Sequence, residues 1–172
     1  GIEDHAILID SMSKRYSMCG ARIGFLISKN QEIIQAALKF AQSRLCPPTI
    51  AMHACEAALD EPEQYLIDAL AEYEIRRETA ITCLRNIHGV EVAEPKGAFY
   101  CLARLPVNDT DDFAKWMLES FEHNGETVMI APANGFFSDN TTGKDMIRIA
   151  FVLNSKKLER AFELLGLGLA EY

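Results

Sequence analysis

Two short, unbroken aliphatic runs open the chain, Ile7 to Ile9 and Ile23 to Ile27, each bounded by glycine or polar residues. Continuous apolarity over so few positions is the pattern of a strand covered on both faces, so the sequence predicts two central strands of an α/β sheet. The period then changes. Asn30 predicts a helix N-cap, and Ile33, Ile34, Ala37, Leu38, Ala41 and Leu45 recur at helical spacing until Cys46-Pro47-Pro48 stops the run. Thr49 begins a second helix. Pro62 suits a first helical turn, and no glycine or proline interrupts the chain from there to Asn86, with Gly89 just beyond as a stop.

Beyond Gly89 the pattern is mixed. Val90-Glu91-Val92 alternates, Pro95-Lys96-Gly97 turns, and Ala98 to Leu102 reads as a strand. Asp109 or Thr110 can cap a helix whose Phe113, Trp116, Met117 and Phe121 share a face, with Asn124-Gly125 as its end. Strands are expected at Thr127 to Ile130 and Met146 to Phe151, and a last helix capped by Ser155 turns Leu158, Ala161, Phe162 and Leu165 inward. The expected fold is α/β: residues 1–60 form the C-terminal part of a larger sheet domain, 61–86 a long linking helix, and 87–172 a small α+β domain. Ile7 to Ile9 has one obvious strand partner in its half, so the larger sheet is expected to continue in sequence preceding this stretch.

Composition narrows the function classes. With 172 residues, 49% of them hydrophobic, the chain can bury a core. A net charge of −8, spread along the chain, argues against nucleic acid and against an anionic membrane surface, leaving small molecules as the expected ligands. No apolar run has the length of a membrane span, and GIEDHAILID carries no basic leader, so a cytoplasmic protein is expected. Five cysteines without paired or metal-type spacing read as buried thiols, and no metal is expected. His53, Cys55 and Glu56 do not alter that, because on a helix His53 and Cys55 point to different faces.

The chemistry is concentrated in SMSKRYSMCGARIG, Ser11 to Gly24, between the two predicted strands. If those strands pair, the end of one and the start of the other bring Lys14 and Arg22 to one edge. A lysine becomes a nucleophile toward an aldehyde when partly deprotonated, and a neighbouring cation favours that state. A guanidinium clamps phosphate, hydroxyls such as those of Ser11 and Ser13 donate to its other oxygens, and Gly20 and Gly24 permit close backbone approach. Amine, hydroxyls and guanidinium together suit a phosphorylated aldehyde, and pyridoxal phosphate is one.

The spacing Ser11-x-Ser13-Lys14 followed by Gly20-x-Arg22-x-Gly24 resembles the cofactor-attachment motif of the class I/II aminotransferases, the fold-type I family that includes aspartate aminotransferase. Pro95-Lys96-Gly97-Ala98-Phe99-Tyr100 resembles the family's P-x-G-(A/T)-F-Y strand, and Met146-Ile147-Arg148-Ile149-Ala150 the strand whose arginine binds the substrate α-carboxylate. The resemblance covers essentially the whole chain and implies its C-terminal position within a longer enzyme. It assigns cofactor attachment through an aldimine, and catalysis, to Lys14; phosphate binding to Ser11 and Arg22, with Ser13 a weaker candidate; and substrate binding to Arg148. An isolated strand arginine agrees with that last role, since a bidentate carboxylate satisfies its fork. Tyr100 is assigned to strand packing. Two positions depart from the family, Ala21 where a large aromatic is common and Pro132-Ala133-Asn134-Gly135-Phe136 where a PGS-x-F turn is common, and both bear on pocket shape.

The implied activity is transfer of an amino group between an amino acid, with aspartate the first candidate, and a 2-oxo acid. The resemblance also implies a homodimer, and it implies that the partner of the cofactor's ring nitrogen and the ring-stacking aromatic lie upstream. Two alternatives stand beside it: a carbon-sulfur β-lyase of the same fold, and a non-catalytic binding or dimerisation domain. For the 172 residues by themselves little or no turnover is expected.

Overall fold

The structure is a computed structural model describing residues 1–139 and 141–172. The chain divides into two compact units, Gly1–Asp68 and Ala69–Tyr172.

In the first unit β1 (Leu8–Ser11) and β2 (Gly24–Ile27) form an antiparallel pair, with Leu8 opposite Ile27 and Ser11 opposite Gly24. Between them lie a single helical turn, α1 (Met12–Arg15), and a 3-10 turn at Cys19–Ala21. Asn30 caps α2 (Gln31–Arg44), its side-chain oxygen accepting from the amides of Glu32 and Ile33. After the paired prolines, α3 (Thr49–Leu59) begins at Thr49. The core of this unit is small: Met12, Ile23, Cys55 and Ala58.

The cover expected over these strands is not supplied by the described residues. The aliphatic runs do form strands, but neither is covered on both faces: Ile7, Leu8, Ile9, Phe25, Leu26 and Ile27 are all exposed. Aliphatic strand sequence records a demand for cover without saying which residues meet it. The cysteines need correcting too, because Cys19 and Cys46 are exposed and only Cys55 and Cys101 are fully buried.

The division between the units falls inside α4 (Gln64–Arg85). The second unit is built on a four-stranded antiparallel sheet in the order β3-β4-β6-β5, made of β3 (Glu91–Val92), β4 (Tyr100–Arg104), β5 (Ala131–Pro132) and β6 (Met146–Ala150). Cys101 and Ala103 of β4 lie opposite Ile149 and Ile147 of β6. These join Ala80, Ile81 and Leu84 of α4, Phe113 and Met117 of α5 (Thr110–Glu119), and Leu158, Phe162 and Leu165 of α6 (Ser155–Glu171) in one core. The alternate strand positions, Leu102 and Arg148, also paired, lie on the opposite face.

Several boundaries differ from expectation, among them β4, which runs Tyr100–Arg104 against an expected Ala98 to Leu102. The strand foreseen at Thr127 to Ile130 forms later, at Ala131–Pro132. The Thr127 hydroxyl donates to Met117 O at 2.6 Å, holding that segment on the end of α5, and pairing starts only once the chain is clear of it. Helix α5 stops at Glu119, with Asn124 and Gly125 in a separate turn closed by the His123–Glu126 bridge. Asn154, not Ser155, caps α6, accepting from Lys157 N at 3.0 Å.

Candidate functional site

The loop between β1 and β2 is fastened from below. Met12 N donates to Ile23 O at 3.2 Å, closing the loop's base, and the side chains of Met12 (2% exposed) and Ile23 (7%) pack into the first unit's core beside Cys55 of α3. At its far end the Tyr16 ring stacks on Tyr65 at 6.1 Å between centroids, and Tyr65 Oη reaches Ser17 Oγ at 3.5 Å. Burying the two apolar ends leaves the residues between them to face solvent.

Ser11 caps α1, its Oγ accepting from Ser13 N at 3.3 Å, which leaves its own hydroxyl proton to donate elsewhere. Asp10 accepts from Arg15 Nη2 and from Ser11 N, each at 2.7 Å. Those hydrogen bonds, the arginine's first, hold the Asp10 carboxyl below the usual carboxylate range. Arg15 is thereby committed to Asp10.

Lys14 and Arg22 meet the same residue. Lys14 Nζ donates to Cys19 Sγ at 3.8 Å, Cys19 Sγ donates to Ser13 O at 3.1 Å, and Arg22 Nη1 donates to Cys19 O at 3.0 Å. Arg22 itself holds a left-handed backbone, φ 57°, which turns the chain into β2. Gly24 lies where a Cβ would come within 3.2 Å of Asp10 O, so its close approach is steric; at Gly20 the same atom would meet open space. The loop therefore presents an amine, a guanidinium and the Ser11 hydroxyl. That donor set fits a phosphorylated aldehyde: a nucleophile for the carbonyl and fork and hydroxyl donors for the phosphate. Cys19, expected among the buried thiols, is exposed, and its place in the sequence between Lys14 and Arg22 is the signal that marks it.

In the second unit Arg148 sits between aromatic rings. Its guanidinium carbon is 4.4 Å from the Phe136 centroid and 5.0 Å from that of Tyr100. Tyr100 thus does more than strand packing. Phe136 belongs to a 3-10 turn, Asn134–Phe136, fixed at its start: Ala133 N donates to Met146 O at 2.8 Å, and Asn134 Nδ2 donates to the Asp111 carboxylate. Among the described residues no side-chain hydrogen bond or ion pair engages the Arg148 guanidinium, so its planar donors remain for an anion.

Residues 2–165 match the family of class I and II aminotransferases. The chain belongs to that family. Among similar proteins, a (5-formylfuran-3-yl)methyl phosphate transaminase of Methanocaldococcus jannaschii is 32% identical over 162 residues, covering 93% of this chain and 41% of that protein. The aspartate aminotransferase of Bacillus subtilis is 29% identical over 170 residues, covering 94% of this chain and 40% of that enzyme. In structure, the alanine aminotransferase of Pyrococcus furiosus superimposes with a TM-score of 0.82 at 26% identity, over 96% of this chain and 42% of the other. The chain thus spans about two-fifths of the length of the aminotransferases it matches, 41% and 40% of the two curated relatives. Its α/β fold is a portion of the larger fold-type I aminotransferase architecture.

Proposed function

We propose that this chain carries the cofactor-attachment and substrate-carboxylate side chains of a pyridoxal-phosphate-dependent aminotransferase that moves an amino group between an amino acid and a 2-oxo acid. The observation that carries the reading is the shared engagement of Lys14 and Arg22 by Cys19, which keeps an amine and a guanidinium together on one exposed loop.

Lys14 Nζ is the point of covalent attachment. Arg22 and Ser11, with Ser13 the weaker contributor, hold the phosphate. When bound, pyridoxal phosphate supplies the electron sink that makes the amino acid's α-hydrogen acidic. Lys14 Nζ would take that proton as general base and return one as general acid. Arg148 binds the α-carboxylate with both edges of its guanidinium, and the rings of Phe136 and Tyr100 restrict its rotation.

Aspartate is the first substrate candidate, supported by the aspartate aminotransferases of Bacillus subtilis and Rhizobium meliloti among the relatives. The functional form is a homodimer, as the resemblance implies, and the cytoplasm is its expected compartment. Residues 1–60 belong to the large cofactor-binding domain, 61–86 to an interdomain helix and 87–172 to the small domain.

The experiment compares pyridoxal phosphate with pyridoxal as ligands of the chain, before and after Arg22→Ala. The phosphorylated aldehyde should bind at least tenfold more tightly, and Arg22→Ala should remove most of that preference, as loss of a charge-assisted pair worth roughly 1.5–3 kcal/mol requires. Equal affinity for the two aldehydes would contradict the phosphate assignment.

A further inference from the structure

The thiol of Cys19 is exposed and in contact with the ε-amine of Lys14 at 3.8 Å, while its own proton points to Ser13 O at 3.1 Å. Two nucleophiles that share a contact at the surface have a chemistry neither has singly. We propose that Cys19 and Lys14 form a peroxide-responsive modification site, in which oxidised Cys19 is captured by the Lys14 amine as a sulfur–nitrogen cross-link.

The steps balance with hydrogen peroxide as the only oxidant. The Cys19 thiol gives up its proton, its sulfur attacks one peroxide oxygen and the O–O bond breaks, giving a sulfenic acid and a hydroxide that takes up that proton as water. The neutral Lys14 amine then attacks the sulfenic sulfur; an S–N bond forms, the S–O bond breaks, and the hydroxyl leaves as a second water with one amine proton. The product is a sulfenamide, two hydrogens lighter than the starting pair. Two equivalents of an external thiol reverse it, returning thiol and amine and leaving one external disulfide. Capture of a sulfenic acid by nitrogen is known chemistry for a backbone amide, a poorer nucleophile than an amine.

Geometry favours this pair over the chain's other thiols. Cys55 and Cys101 are buried, and neither Cys83, half-buried, nor Cys46, exposed like Cys19, has a hydrogen bond to an amine among the described residues. The contact spans residues five apart on one short loop, and Lys14 has a flexible stem, so closing from contact to bond distance needs side-chain rotation only. If Lys14 is the attachment lysine proposed above, the cross-link also removes the amine that attachment requires, and reducing thiols restore it. That consequence rests on the aminotransferase reading; the cross-link itself does not.

The test uses the chain without cofactor, in a Cys46→Ser background that prevents disulfide formation between the two exposed thiols. After peroxide treatment and proteolysis, mass spectrometry should find the Lys14 and Cys19 peptides joined and lighter by two hydrogens, with the link lost on adding dithiothreitol. In Lys14→Arg the link should vanish and Cys19 should instead be trapped as a sulfenic acid by dimedone. Dimedone trapping at Cys19 to the same extent with and without Lys14, and no joined peptide, would overturn the proposal. So would Cys19 that stays reduced while Cys46 of the unsubstituted chain is oxidised. Because the readout is a mass on the chain alone, its failure leaves the aminotransferase reading in place, and failure of cofactor binding leaves the cross-link in place.

Discussion

The guanidinium carbon of Arg148 lies over the Phe136 ring, 4.4 Å from its centroid, although the two residues come from different elements, a central strand and a 3-10 turn. The turn is tied to the strand through Ala133 and Met146, so the ring and the guanidinium are positioned by one backbone connection. A cation over an aromatic face contributes about 0.5–2 kcal/mol depending on desolvation, while leaving the guanidinium edges able to donate.

That arrangement predicts a split between two kinds of variant. In the full-length aminotransferase that carries this segment, Arg148→Ala should weaken amino-acid binding by roughly 10–100-fold, as loss of a charged hydrogen-bonded pair does. Cofactor binding should be unchanged. Phe136→Ala should weaken the same substrate only about 2–5-fold, through lost positioning. Titrations with amino acid and with pyridoxal phosphate check both, and equal losses for the two ligands in Arg148→Ala would contradict the carboxylate role.

Thr110 is buried at 0% exposure, with its hydroxyl 2.9 Å from Lys144 O and 3.0 Å from Met146 O. Thr110→Val keeps the shape and removes a buried hydroxyl donor, while Lys144 O and Met146 O keep their backbone partners, Thr110 N and Ala133 N. The second unit should lose about 0.5–1.5 kcal/mol in denaturant unfolding, with an unchanged slope.

Gly89, in the turn that follows α4, holds φ 78°, and a Cβ there would stand 3.0 Å from Pro106 Cβ and Cγ. Gly89→Ala therefore adds left-handed strain of about 1–2 kcal/mol to a contact with a rigid ring that cannot move aside. A lower unfolding midpoint should follow.

Burial pushes the Cys101 thiol up to about 11. A thiol in the unfolded chain titrates near ~8.5, so above that pH the unfolded state has released a proton that the folded state still holds. The contribution is fully present below the unfolded value and is lost as pH rises toward the folded one. Relative to Cys101→Ala, the wild-type chain should lose stability between about pH 8.5 and 11. At neutral pH, maleimide should label Cys19 and Cys46 in the native chain and reach Cys55 and Cys101 only after unfolding.

Local signals were legible where one residue decides a local bond. Asn30 and Asp109 cap the helices their chemistry announces, and Pro47-Pro48 separates α2 from α3. At Asn154-Ser155 two competent caps are adjacent, and sequence alone does not rank them. The delay of β5 came from a tertiary bond, Thr127 to Met117 O, that no local pattern encodes. The motif located Lys14 and Arg22, but the residue that joins them did not stand out, because a single loop cysteine has no periodicity and its role depends on which way the 3-10 turn faces. The rings around Arg148 were hidden for a similar reason: Tyr100 looked like an ordinary strand aromatic until its pairing with the strand carrying Arg148 was known.

The central claim is that Lys14 is the attachment lysine, and reductive trapping tests it most directly. The chain is equilibrated with a limiting amount of pyridoxal phosphate, reduced with borohydride and mapped by peptide mass spectrometry. Label concentrated on Lys14, and reduced by excess inorganic phosphate competing at Arg22, is the predicted result. Label spread over Lys29, Lys39, Lys115 and the other surface lysines, with Lys14 no more reactive than they are, would contradict it.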